Sequence, residues 1–162
     1  MSLSGTVKAI LNSETKIARR QGLAADLAGG ANFNIFNVAG MVIVHQFWGH
    51  VTTVIGAGAA VPQLVHTPTL SGAAVPLCAA AASIANDVVD TIYVVVAGAL
   101  GTALTPGPAI GAVDTAGTAW SGNVLILAPG IVTVVNAVAS TGIIDWYFMY
   151  TPTSPNSGMT PL

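Results

Sequence analysis

The sequence predicts an all-β protein: an antiparallel β-sandwich or jelly-roll-like body, preceded by a basic, partly helical arm and followed by an extended tail. Three observations carry that prediction. Short runs of β-branched and aromatic residues recur from Phe33 to Thr151, separated by Gly, Pro, Ser or Asn. All the lysines and arginines, Lys8, Lys16, Arg19 and Arg20, precede that region. Three prolines, Pro152, Pro155 and Pro161, punctuate the last residues and leave no strand or helix pattern there.

Residues 1–31 form the expected arm and its joint. On a helical wheel Leu3, Val7, Ile10, Leu11 and Ile17 share one face, with Lys8, Lys16 and Arg19 opposite. Asn12-Ser13 interrupts that helix or caps a second turn, and "AGGAN" (28–32) reads as a flexible joint. The body, residues 32–152, offers eight strands: 33–38, 41–48, 51–57, 61–67, 91–97, 123–128, 131–137 and 143–151. Gly49 suggests a bend between the second and third. Pro129-Gly130 and Ser140-Thr141-Gly142 are turn signals, and "CAAAASIAND" (78–87) suits a helical turn or short helix. Residues 153–162 are the expected tail.

Several of these strands are apolar on both faces. In "NVLILA" Val124 and Ile126 point one way and Leu125 and Leu127 the other; "TIYVVVA" and "IVTVVNA" behave alike. A free sandwich shows polar residues outside, so such strands call for a second covering layer, and another subunit is the natural source. Composition agrees. Only 6% of the 162 residues are charged, against about 25% in ordinary soluble domains. Beyond Leu27 the only charged side chains are Asp87, Asp90, Asp114 and Asp145. A monomer so sparsely charged lacks the repulsion that keeps folded proteins apart.

A mean hydropathy of +0.75 makes a membrane protein the rival reading. Against it, the long apolar stretches are broken by Pro76, Pro106 and Pro108. They run to five to eight residues of Val, Ile and Ala, not the roughly twenty a spanning helix needs, and the body has no Lys or Arg to set topology. No secretory h-region follows the basic residues, and the one cysteine, Cys78, in "PLCAA", reads as a buried small hydrophobe. Cytosolic synthesis without membrane insertion is the expectation.

Catalytic groups are sparse. His45 and His50 are five apart, which on one unbroken strand places them on opposite faces. Asp87 and Asp90 lack the alternating oxygen spacing of a cation loop and read as a polar turn. "GAGA" (56–59) lacks the third glycine and following helix of a dinucleotide fingerprint. Trp48, Trp120, Trp146, Tyr147 and Tyr150 read mainly as core and interface residues, and no nucleophile, base and orienting group fall together. No enzyme activity, cofactor or metal is expected. An acidic body without Lys or Arg is a poor nucleic-acid ligand.

The arm carries four cations less Glu14 and Asp26, a side-chain charge of +2, against −4 on the body. It is complementary to its own copies or to an acidic lattice. Lys8, Lys16, Arg19 and Arg20 are therefore the candidate partner-binding residues, on the part of the chain that reaches out.

The segments "NFNIFNVAGMVIVHQFWGHVTTVIGAGA" (32–59) and "NVLILAPGIVTVVNAVASTGIIDWYFMYTP" (123–152) resemble small β-rich virion proteins of tailed bacteriophages, of the capsid decoration or cement type. The resemblance lies in the strand pair opening with "IFNVAG", the "VTTVIGA" strand and the closing "APG…ASTG…DWYFMY" pair. It implies a jelly-roll or related sandwich on the outside of the phage head after synthesis in the host cytoplasm. It further implies homotrimers whose arms embrace the major capsid protein, with no activity and no cofactor. The alternatives are a phage tail or fibre component, or a carbohydrate-binding adhesion module using an exposed tryptophan such as Trp120.

Overall fold

The computed structural model describes residues 14–95, 104–106 and 125–162. Lys8, Asp114 and Trp120 lie outside the described residues, as do the apolar positions from Leu3 to Leu11, the last two residues of the 91–97 run and the first two of 123–128.

The chain order is β1 (Lys16–Arg20), α1 (Ala24–Ala28), β2 (Phe33–Ala39), β3 (Val42–Thr53), β4 (Gln63–Pro68), β5 (Val75–Pro76), β6 (Ile92–Val95), β7 (Leu104–Pro106), β8 (Leu125–Leu127), β9 (Gly130–Val135), β10 (Ile143–Pro152) and β11 (Gly158–Pro161). These build two antiparallel sheets. Sheet I runs β1-β10-β3-β6-β7, with β8 also on β3; sheet II runs β11-β2-β9-β4-β5. From β1 to β4, and again from β8 to β11, successive strands alternate between the sheets.

One apolar core is shared by both sheets. Sheet II contributes Ile35, Phe36, Leu64, Val132 and Val134; sheet I contributes Val42, Val44, Phe47, Trp146 and Phe148, all almost fully buried. Phe148 meets Phe36 edge-on across the sandwich, with ring centroids 5.3 Å apart, and stacks on Phe47 beside it at 5.2 Å. Both are favoured aromatic geometries.

Residues 41–57 hold one long strand, not two. Gly49 causes no break. It lets Trp146 of β10 lie against β3, since a Cβ there would sit 2.8 Å from the Trp146 ring. A β-bulge near the start of β3 has larger consequences. Gln46 faces Met149 while Val44 faces Tyr150, so His45 is an extra residue. The side-chain alternation shifts by one at that point, and His45 and His50 end on the same, outer face of sheet I.

Two further expectations are corrected. Residues 78–87 contain no helix; they form turns whose apolar members Cys78, Ala81 and Ile84 plug the core. Asn86 and Asp90, with φ of 65° and 68°, reverse the chain there. The predicted terminal arms, where described, belong to the body. Lys16–Arg20 is not helical but pairs antiparallel with Trp146–Tyr150. Leu27 of α1 is 1% exposed. Of the predicted tail, Gly158–Pro161 pairs with Phe36–Ala39, and Met159 is buried, its N–H donating to the Tyr150 hydroxyl.

Candidate functional site: the outer face of sheet I

The two outer faces of the sandwich differ in chemistry. On sheet II, strand register brings Thr160, Asn37, Ile131 and Thr67 into one row and Asn34, Thr133 and Val65 into another. Thr133 donates to the Asn34 side-chain oxygen at 2.9 Å. That face is mostly polar and uncharged.

The outer face of sheet I is apolar and aromatic. It has two halves, set by which short strand borders β3. Where β8 borders it, Thr151, Ile43 and Ile126 lie in register, and Ile17, Met149 and Gln46 form the next row. Ile17 is 62% exposed and Ile126 56%. Where β6 borders β3, the row is Arg19, Tyr147, Trp48 and Val94. Tyr147 and Trp48 are parallel to within 1°, centroids 5.0 Å apart, and the Arg19 guanidinium lies 5.8 Å from the Tyr147 centroid. Beyond Trp48 is a groove of about 210 Å3 lined by Gln46, Trp48, Ile92 and Val94.

The structure builds the three described cations, Lys16, Arg19 and Arg20, into β1 of the body and not onto an arm. Lys16 is exposed and in no ion pair among the described residues. Arg19 bonds through Nη2 and Nε to one oxygen of Asp145, at 2.7 and 3.1 Å. That hydrogen bond raises the guanidinium's affinity for its proton, with the Tyr147 and Asp145 charges adding to it. Asp145 is itself buried, and its other oxygen accepts the Gly22 N–H at 2.8 Å. Arg20 faces inward at 5% exposure. It forms a two-pronged pair with Asp26, donates to the Leu162 carbonyl at 3.2 Å, and lies 5.5 Å from the Phe33 ring centroid. It joins β1, α1 and β11 across the open side of the sandwich.

The remaining polar candidates are dispersed. His45 Nε2 bonds Thr151, His50 Nε2 bonds Asp90 at 3.0 Å, and Asp87 accepts the Tyr93 hydroxyl at 2.7 Å. Burial, reinforced by Asp87, raises the Tyr93 phenol far above its ordinary range. Burial pushes the Cys78 thiol up to about 11. Among the described residues no group of three or more His, Cys, Asp or Glu is placed to hold a metal, and no helix is long and apolar enough to cross a membrane. Trp146 and Tyr150 belong to the core.

Sequence reasoning missed the Arg19–Tyr147–Trp48 ladder. Its trace was present: Tyr147 alternates with Trp146 and Phe148, and Trp48 follows Phe47, so each stands out of phase with the core aromatics. No family model, curated protein or solved structure matches the chain.

Proposed function

We propose that this chain is a non-enzymatic structural protein of a tailed-phage virion, a decoration protein that binds the outer surface of the capsid and stabilises the shell by bridging its subunits. The observation that carries the reading is the aliphatic half of the outer face of sheet I. Ile17, Ile43, Ile126 and Met149 form an uncovered apolar patch on a chain with almost no surface charge, and such patches mark interaction surfaces. Burying it, in an oligomer (trimer favoured) or on the major capsid protein, means that opening a seam re-exposes apolar area.

The strand order supports a jelly-roll reading. β1-β10-β3-β8 facing β2-β9-β4-β5 follows the eight-strand, double Greek-key arrangement used in viral capsid domains, with β6, β7 and β11 as additions. Attachment rests on the face of the body; the described part of the expected arm is built into that body, and Lys16 is the free cation among the described residues. One free cation gives little affinity for nucleic acid.

The test is sedimentation in detergent-free buffer, followed by co-sedimentation with purified phage heads stripped of this protein. A discrete oligomer that binds heads, and loses both properties in Ile17→Asp and Ile126→Asp, is the expected result. A stable monomer indifferent to heads overturns the proposal.

A further inference from the structure

The aromatic half of the same face carries a feature that assembly through the aliphatic half does not use. Arg19 covers Tyr147, and Tyr147 covers one face of Trp48. The opposite face of Trp48 looks away from β10 toward β6, where Val94 is its register partner, and onto the groove of about 210 Å3. The stack is therefore finished by Arg19 at one end and borders the groove at the other, where Val94 is 3% exposed. The Gln46 side chain, on the groove wall, makes no hydrogen bond to another described residue. Ile92, on the other wall, lies in register with His50, which pairs with Asp90.

We propose that this groove binds a neutral saccharide, one sugar ring stacking on the groove-facing side of Trp48 with a hydroxyl bonded to the Gln46 amide. The chemistry selects that ligand class. An aromatic floor with a few placed polar groups is the usual make-up of a small-molecule site. Among the described residues no cation lines it: Arg19 sits at the other end of the stack and is paired with Asp145, so phosphorylated or carboxylated ligands find no counter-charge among those residues. A ring with an apolar C–H face and hydroxyl edges matches a Trp face beside a side-chain amide. A purely apolar ligand leaves that amide unanswered. The groove has room for a single ring, so affinity for one unit is weak and gains by multivalent display on an assembled surface.

The full-length protein is screened on an array of neutral oligosaccharides, and the best binder is titrated while the indole N–H signals of 15N-tryptophan-labelled protein are followed. The expected result is saturable binding that shifts one indole signal, the one missing in Trp48→Phe. Trp48→Ala should lose at least tenfold in affinity, and Gln46→Ala about two- to tenfold, the worth of one hydrogen bond. Gln46 is a surface residue, so its variant keeps the test valid should Trp48→Ala fail to fold. Three outcomes overturn the proposal: no neutral saccharide binds at millimolar concentration, binding persists unchanged in Gln46→Ala and Trp48→Phe, or N-acetyltryptophanamide displaces the sugar more strongly than the sugar binds. The last assigns the groove to an aromatic side chain of a protein partner. Sedimentation of Trp48→Phe separates this site from assembly, because that substitution leaves Ile17, Ile43, Ile126 and Met149 unchanged, whereas Gln46 is the register partner of Met149.

Discussion

Removing the Arg20 guanidinium is the sharpest test of whether the basic segment belongs to the body. In Arg20→Met the stem is kept and the charge is lost. Asp26, with a side chain only 10% exposed, is left as a buried carboxylate whose one remaining partner is the Leu23 N–H at 2.8 Å. The Leu162 carbonyl loses its Nε donor, and the Phe33 ring loses the cation above it. Breaking a buried pair from one side costs about 3–5 kcal/mol, because the orphaned charge stays desolvated; taking the lower end for a site at the sandwich margin gives about 3 kcal/mol. For a chain of this size that is a fall in Tm of roughly 6–12 °C. Calorimetry and urea unfolding both read it. The double variant Arg20→Met/Asp26→Leu should recover most of the loss, since an apolar replacement of both partners removes the orphan. Lys16→Glu, altering an exposed residue with no ion partner, should leave Tm where it is. A Tm for Arg20→Met within a degree of wild type refutes the reasoning and returns residues 16–20 to a detached arm.

Three other outcomes are expected. His66 is buried with Nε2 unpartnered, and desolvation lowers its proton affinity below that of a free histidine, despite a bond to the Ala128 backbone. Its neutral form is the folded form, so stability is full above about pH 6.5 and falls as acid forces a proton on it; urea midpoints at pH 7.5 and pH 5 should show that fall, and His66→Leu should reduce it. Gly49→Ala forces a Cβ to 2.8 Å from the Trp146 ring and should cost about 1–3 kcal/mol by overpacking, with a shifted tryptophan emission; an unchanged urea midpoint counts against the close approach. Cys78, buried and held up at about 11, should react with a thiol reagent at pH 8 only on unfolding, and rapid labelling of native protein contradicts its placement.

The readable part of the fold was the part whose order comes from burial. "IVTVVNA" alternates Val132 and Val134 inward with Ile131 and Thr133 outward, and "IIDWYFMYT" alternates Ile144, Trp146 and Phe148 against Tyr147 and Met149. Both are legible as strands of period two. Edge strands were not legible. β1 reads Lys-Ile-Ala-Arg-Arg and β11 reads Gly-Met-Thr-Pro; neither has an apolar period, and each owes its conformation to the ladder of the strand beside it. The shared face of His45 and His50 was invisible for another reason: a bulge is set by register between distant strands. The Trp48–Tyr147 ladder joins residues 99 positions apart through the pairing of β3 with β10. Parity sets Trp48 and Tyr147 out of phase with the core aromatics Phe47, Trp146 and Phe148, but only register makes them neighbours.

The concentration of cations near the N-terminus acquires a structural meaning from where β1 lies. Sheet I has three border strands, β1, β7 and β8, and sheet II has two, β11 and β5. β1 carries Lys16, Arg19 and Arg20; β7, β11 and β5 carry Pro106, Pro161 and Pro76; β8, Leu125–Leu127, carries neither but is only three residues long. Charge, proline and shortness are devices that stop border strands from pairing with other chains. In a body this poor in charge, an unguarded border would add strands from neighbouring copies without limit. With the borders blunted, the assembly proposed above would form through the outer face of sheet I, where Ile17, Ile43, Ile126 and Met149 are apolar. A face has a finite area and one orientation, so contacts through it close into a defined assembly, whereas edge pairing propagates.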